Sequence, residues 1–283
     1  MISNNVCSVM VLFYPELETC KNVMRVLGEV NHVFLVDNTD SFICSSWLLG
    51  LGQREDITLI RNNANRGIAG ALNIGLKQAV LLGYKFSLLM DQDSKFYRGA
   101  LFKLLSIYDV ASKDSKICIV GSAHQKKEVQ GCKYVIAKTV ISSGTLLNLK
   151  AYCNLGDFRE DYFIDQVDHE YCLRAVDNGY LNLVSSEKLM DHFIGQESFH
   201  FIWKFKVKVT NHSALRRYYF ARNKVFLLRD YLNSHPVYVG TGLLNIMKIA
   251  LLIFLFETEK KEKLLNIFLG IRDGVFNVSG KRV

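Results

Sequence analysis

The stretch FSLLMDQDSKF, residues 86–96, decides how the chain is read. An apolar run ends abruptly in Asp91, Gln92 and Asp93, two carboxylates one residue apart. Either the strand is simply leaving the core, with Asp93 or Ser94 capping a helix beyond it, or it delivers charge to a site. In an extended chain, residues i and i+2 point the same way, roughly 6.5–7 Å apart. Two carboxylates so placed can serve one hard divalent cation. A lone D-x-D does not choose between these readings.

Working outward, the runs VCSVMVLFY (6–14), HVFLVDN (32–38) and DITLIRNN (56–63) are further short apolar strands with polar ends. Pro15 opens a helical pattern over 16–29. GIAGALNIGLKQAVLLGY (67–84) has Ile68, Leu72, Leu76 and Ala79 on one face and Gly83 as a stop. Nearly continuous apolar strands alternating with helices predict a mostly parallel sheet covered on both faces. More strands are expected at 116–122 and 140–149, a helical segment within 163–180, and helices from Ser213 to the end. In such sheets, ligands bind beyond the carboxyl ends of the strands. Tyr14, Asp37, Asn38, Asn65 and Asp91 fall there.

Composition narrows the function. The 283 residues carry a net charge of +8, but residues 201–283 hold 15 Lys and Arg against 5 Asp and Glu. The first 200 residues are near neutral, so the tail holds the whole basic excess. A basic, apolar tail suits an anionic membrane surface; a solvated basic face is the plainer alternative. Residues 237–256 are long and apolar enough to span a bilayer. Lys248 near the middle would cost about 2.5–3.5 kcal/mol there, which favours a helix lying in the interface or packed on the protein. The seven scattered cysteines form no C-x-x-C pair and point to a reducing compartment. The N-terminus has no basic n-region, so no signal peptide and a cytoplasmic location are expected. Neither G-x-G-x-x-G nor a Walker-type loop occurs, which weakens dinucleotide and P-loop readings. No nucleic-acid-binding module is recognisable.

Two further segments bear on chemistry. In FIDQVDHEYCLR (163–174), Asp165, Asp168 and Glu170 crowd a helix start, where the dipole favours acids. Glu170 and Arg174 have the spacing of an i,i+4 ion pair. A spare carboxylate there could act as a general base. His192, in MDHFIG, is either a structural imidazole or a metal ligand beside Asp93.

The segments VLFYPE, VDNTD, NNANRGIAGALNIGL, LLMDQDS, SSGTLL, FIDQVDHEYCLR, HFIG and TNHSALRRYYFARN, in this order, resemble bacterial family 2 glycosyltransferases. Among these the chain is similar to rhamnosyltransferases of O-antigen and related polysaccharide assembly. The resemblance implies a GT-A fold over residues 1–212, with a donor half to about residue 95 and an acceptor half after it. Residues 213–283 would be a helical extension. It implies a dTDP-L-rhamnose donor, Mg²⁺ or Mn²⁺, an inverting displacement, and a saccharide acceptor on a polyprenyl diphosphate carrier at the inner membrane face. Tyr14, Asp37 and Asn38 would surround the base, and Asn65, Arg66 and Gly67 the nucleotide. Asp91 would face the ribose, and Asp93 and His192 the metal. Asp168 would be the catalytic base, with Asp165 the runner-up and Glu170 the second acid; Val167 departs from the usual Glu-Asp-x-Asp form. Arg216, Arg217 and Arg222 would hold diphosphate or the anionic lipid carrier, or else form a basic helix face, and Ser143 and Gly144 would lie toward the acceptor. Another nucleotide sugar, a sugar nucleotidyltransferase or a non-catalytic binding module are the competing readings. The nucleotidyltransferase would need a glycine-rich, basic N-terminal loop, which VLFYPELETC is not.

Overall fold

The computed structural model describes residues 3–41, 45–123, 132–191, 198–202 and 205–282. Its contacts divide the chain into two units. The first comprises Met1–Glu160 and Asp168–His192; the second comprises Asp161–Val167 and Phe193–Val283. Residues 193–212 thus group with the C-terminal helices, and a short acidic loop from the middle of the chain joins them.

The first unit opens β1 (Ser3–Leu12), α1 (Leu17–Leu27), β2 (Val30–Asp37), α2 (Ser46–Gly52), β3 (Ile57–Arg61), α3 (Gly67–Leu81) and β4 (Phe86–Asp91). It continues through β5 (Lys95–Phe96), α4 (Ala100–Ala111), β6 (Ile117–Gly121), β7 (Tyr134–Ala137), β8 (Thr145–Asn148) and α5 (Leu149–Leu155). It ends with α6 (Val167–Asp177), β9 (Leu181–Ser185) and β10 (Met190–Asp191). Eight strands form one sheet in the order β3-β2-β1-β4-β8-β6-β9-β7. The strands β1 to β4 are parallel, as expected. β8 runs antiparallel between β4 and β6, and β7 antiparallel on the edge.

Alternation along the strands explains the two covered faces. Val6, Met10 and Leu12 of β1 cluster with Val23 and Val26 of α1, Leu48 of α2, and Leu101 and Leu104 of α4. Val9 points the other way, to α3. There a side chain on Gly75 would meet Val9 Cγ1 at 2.6 Å and Val36 Cγ2 at 3.1 Å, so only glycine lets this helix lie so close. The helices α2, α4 and α5 are not expected from the sequence. α2 and α5 span seven residues each, too few for a periodic pattern to stand out.

The second unit holds a hairpin of β11 (Ser198–Ile202) and β12 (Phe205–Val209), then α7 (Ala214–Tyr231), α8 (Pro236–Phe256) and α9 (Lys260–Val275). Ala221, Ile246, Ile253 and Ile267 make its apolar centre. α8 is long and apolar enough to cross a membrane, yet only 22% of its most apolar window is buried.

Candidate active site

The site is built where β1, β2, β3 and β4 end. Asn38, directly after β2, is buried and uses its whole amide. Its Nδ2 donates to Asn65 Oδ1 at 3.0 Å and to the Gly67 carbonyl at 3.1 Å. Its Oδ1 accepts from Asn62 Nδ2 at 3.0 Å and from Arg66 N–H at 2.9 Å. One side chain therefore ties the ends of two strands to the first turn of α3. Gly67 makes that turn possible with φ of 74°, and its N–H donates to Asn65 Oδ1. The Arg66 side chain is left exposed. Asp37 is nearly buried; its Oδ1 accepts from Thr39 N–H at 3.1 Å, and Thr39 Oγ1 accepts from Tyr14 N–H at 3.0 Å. Tyr14 has φ of 45° and an exposed ring. Five of the expected donor-side residues thus belong to one hydrogen-bonded frame: Tyr14, Asp37, Asn38, Asn65 and Gly67.

The end of β4 differs from the extended chain expected. The strand stops at Asp91, and Gln92 and Asp93 form a turn closed by Ser94 N–H on the Asp91 carbonyl at 3.2 Å. The i,i+2 alternation therefore does not relate the two carboxylates. Gln92, to which the sequence assigns no role, clamps the neighbouring loop. Its Oε1 accepts from Phe13 N–H at 2.8 Å, and its Nε2 donates to the Phe13 carbonyl at 3.0 Å. Its own carbonyl accepts from Asn22 Nδ2 at 2.9 Å. Asp93 projects from this fixed turn with an exposed side chain.

Residues 142 and 143 draw the remaining parts together. The Asp168 carboxylate accepts from Ser142 N–H at 3.2 Å and from its neighbour His169 N–H at 2.8 Å. Ser143 Oγ accepts from Asp91 N–H at 3.1 Å and donates to Ser94 Oγ at 2.9 Å. Two adjacent residues thus hold Asp168 on one side and the Asp91–Asp93 turn on the other. Asp168 keeps about a fifth of its side chain exposed. Beside it, His169 lines a cavity of about 500 Å³ with Thr139, Val140, Ile141 and Val184. No local pattern in the sequence marks this cavity, because its walls come from four separate segments.

Three of the expected residues are built into the packing of this unit. Ser143 is buried and spent on Asp91 and Ser94, so it braces the site and does not face an acceptor. Gly144, with φ of 70°, packs so tightly that an added Cβ would overlap Met190 Sδ. Glu170 is buried, and both its oxygens accept from Arg174, at 3.1 and 2.9 Å. Arg174 also donates to the carbonyls of Leu155 and Asp157. Glu170 therefore anchors α6, with its carboxylate committed to Arg174.

In the second unit, Arg216 alone of the three expected arginines is exposed; its Nε donates to Asp165 Oδ2 at 3.3 Å. Arg217 is buried against Glu257, which Lys263 also pairs at 3.0 Å. Arg222 is fully buried. It donates to the carbonyls of Gly280, Asp161 and Tyr162 and lies over the rings of Tyr219 and Phe226. Neither has a guanidinium free for a diphosphate, which corrects both assignments. Charge is legible in the sequence; partners 40–60 residues away are not. Asn223 completes the arrangement, its Nδ2 lying within 2.9 Å of the carbonyls of Tyr162, Ile164 and Asp165. The loop it grips has positive φ at Phe163, Asp165 and Gln166, a conformation disfavoured without glycine.

No metal cage is preformed: among the described residues, no three His, Cys, Asp or Glu side chains converge. His192 lies outside the described residues. Mg²⁺ and Mn²⁺, however, commonly bind through one or two carboxylates plus substrate phosphates, which the exposed Asp93 on its fixed turn fits.

No family model matches the chain. Along its length it is 28% identical to the dTDP-rhamnosyl transferase RfbF of Shigella flexneri, over 99% of this chain and 98% of that one. Among solved structures, S. aureus TarS aligns with a TM-score of 0.61 and 14% identity, covering 97% of this chain and 49% of that chain. GalNAc-T7, crystallised with UDP, GalNAc and Mn²⁺, aligns with a TM-score of 0.55 and 13% identity, over 66% of this chain and 43% of that one. The chain thus spans about half the length of the solved chains it matches, and these share its fold. The sheet order and the solved structures agree on a GT-A fold, and the chain is similar along its whole length to a dTDP-rhamnosyl transferase.

Proposed function

We propose that the protein moves L-rhamnose from dTDP-L-rhamnose to a saccharide acceptor, with inversion at the anomeric carbon. The observation that carries this reading is the pairing of Ser142 with Asp168 and of Ser143 with Asp91 and Ser94. It links a partly exposed carboxylate, through two adjacent residues, to the turn that bears Asp93, which supports a single displacement with Asp168 as base. Donor identity draws on the full-length similarity to a dTDP-rhamnosyl transferase.

In this mechanism the Asp37–Asn38 frame, Tyr14, Asn65, Arg66 and Gly67 receive the nucleotide, and Asp91 faces the ribose. Asp93 would hold a divalent cation, Mg²⁺ or Mn²⁺, which when bound neutralises charge on the departing diphosphate. Asp168 accepts the proton of the acceptor hydroxyl while the hydroxyl oxygen bonds to the anomeric carbon. The bond from that carbon to the diphosphate breaks, and dTDP leaves. The two backbone N–H groups on Asp168 hold its carboxylate in one orientation, and the adjoining cavity beside His169 is where the acceptor sugar enters. The acceptor is carried on a polyprenyl diphosphate, and the enzyme works at the cytoplasmic face of the membrane in assembly of O-antigen or another surface polysaccharide. The basic excess of residues 201–283 supports that placement.

A panel of nucleotide sugars, incubated with a lipid-linked acceptor extract and either cation, tests the reading. A product heavier by one deoxyhexose, from dTDP-rhamnose alone, is expected. Transfer from a different donor would replace the sugar assignment, and no transfer from any donor would favour a binding module.

A further inference from the structure

The helix α8 divides into three lengthwise sectors. Val239, Gly242, Ile246 and Ile253 are buried toward the neighbouring helices. Val237, Leu244, Met247, Leu251 and Leu255, spaced by three, four and seven, form an exposed apolar stripe. Between these lies a flank of Tyr238, Thr241, Asn245 and Lys248, which borders a cavity of about 540 Å³. Its far wall is Lys224 of α7, whose stem is buried; an added Cβ on Gly242 would come within 3.2 Å of Lys224 Cδ. The 21 residues of α8 contain no carboxylate.

We propose that this cavity binds the phosphate of an anionic lipid headgroup while the apolar stripe enters the acyl boundary. Lys248 and Lys224 supply the charge, Lys224 from over the rings of Phe220 and Tyr238, and Asn245 supplies an amide donor; the Thr241 hydroxyl donates to the Tyr238 carbonyl and would have to turn to reach a phosphate. The buried stem and polar tip of Lys224 are the arrangement long cations adopt at an interface. A stripe of large apolar residues flanked by lysine is the pattern of a helix lying in the interface plane. A second copy of the chain would cover the stripe equally well, but pairing α8 with α8 would bring Lys248 against a helix without carboxylates. The inference rests on the membrane reading given above and names the group that mediates it.

The full-length protein is floated with phosphatidylcholine vesicles, with and without phosphatidylglycerol, and its melting temperature is read with inorganic pyrophosphate. Binding is expected only with phosphatidylglycerol, and it should weaken at high salt. Lys248→Glu, at an exposed position, lowers vesicle binding about thirty-fold, and Lys224→Met about five-fold. Leu244→Gln lowers it too, and all three variants retain transfer to a soluble acceptor. Wild-type protein that binds no vesicle refutes both the membrane reading and this site. Wild-type binding that Lys248→Glu and Lys224→Met leave intact refutes the site alone. Stabilisation by pyrophosphate that Lys248→Glu abolishes, without vesicle binding, reassigns the cavity to a soluble diphosphate and overturns the lipid. A dimer that Leu244→Gln dissociates, again without vesicle binding, reassigns the stripe to a second copy and does the same.

Discussion

Asp168 accepts the backbone N–H of Ser142 at 3.2 Å, so the proposed base is fixed by a segment 26 residues away and not by its own helix alone. Asp168→Asn keeps the shape and removes the basic oxygen. Transfer should fall by about 10²–10⁴-fold, the usual weight of a general base. Binding of dTDP, followed by calorimetry, should stay within a factor of about two. Asp165→Asn, at a carboxylate already paired with Arg216, should cost much less; equal losses would reverse the two assignments.

Asp93→Ala should remove the response of activity to added Mg²⁺ or Mn²⁺. In the wild type, excess EDTA should stop transfer, and either cation should restore it. Full activity in EDTA would end the case for a metal at this turn.

Asn223→Leu removes the donor to the carbonyls of Tyr162, Ile164 and Asp165. Those buried acceptors then lose a partner, at about 1–3 kcal/mol each for the ones that water does not reach. A lowered denaturant midpoint and a lower kcat are expected. A variant as stable as the wild type would show that the loop holds its own shape.

His212 gives a pH signature. Burial, then the charges of Arg216, Arg217 and Lys263, lower its pKa to about 4 from an ordinary 6.5. The folded state therefore holds this imidazole neutral where the unfolded chain protonates it. Its contribution is fully present above about pH 6.5 and is lost as pH falls toward 4. Because the ring is partly solvated, we expect on the order of 1–2 kcal/mol. His212→Gln should flatten the fall in melting temperature between pH 7 and pH 4.5 relative to wild type; parallel curves would contradict the assignment.

The strands and α3 are legible in the sequence because burial on both faces leaves apolar runs, and because an amphipathic helix of fifteen residues repeats its pattern several times. The polar strand ends are legible as a group for the same reason: Asp37, Asn38 and Asp91 interrupt runs that otherwise admit no charge. The features that stay hidden depend on contacts between distant segments. Gln92 and Phe13 are 79 residues apart, and nothing local marks an amide that will clasp another loop's backbone. Arg217 and Arg222 look the same in sequence as the exposed Arg216, and only tertiary packing separates a buried cation from an exposed one. Ser143 and Gly144 fall inside the strand expected over 140–149 but precede β8, which begins at Thr145, and nothing local tells a hydroxyl that braces a turn from one that faces a ligand.

The left-handed backbone at Phe163, Asp165 and Gln166 has a consequence for engineering. Each of these positions is one where glycine would relieve strain, by about 1 kcal/mol or more. Directed evolution for heat tolerance alone should therefore drift toward glycine at Gln166. The gain in melting temperature would come with a looser approach of the chain to Asp168, two residues on, and slower turnover. Selection for durability and selection for catalysis would pull this one codon in opposite directions.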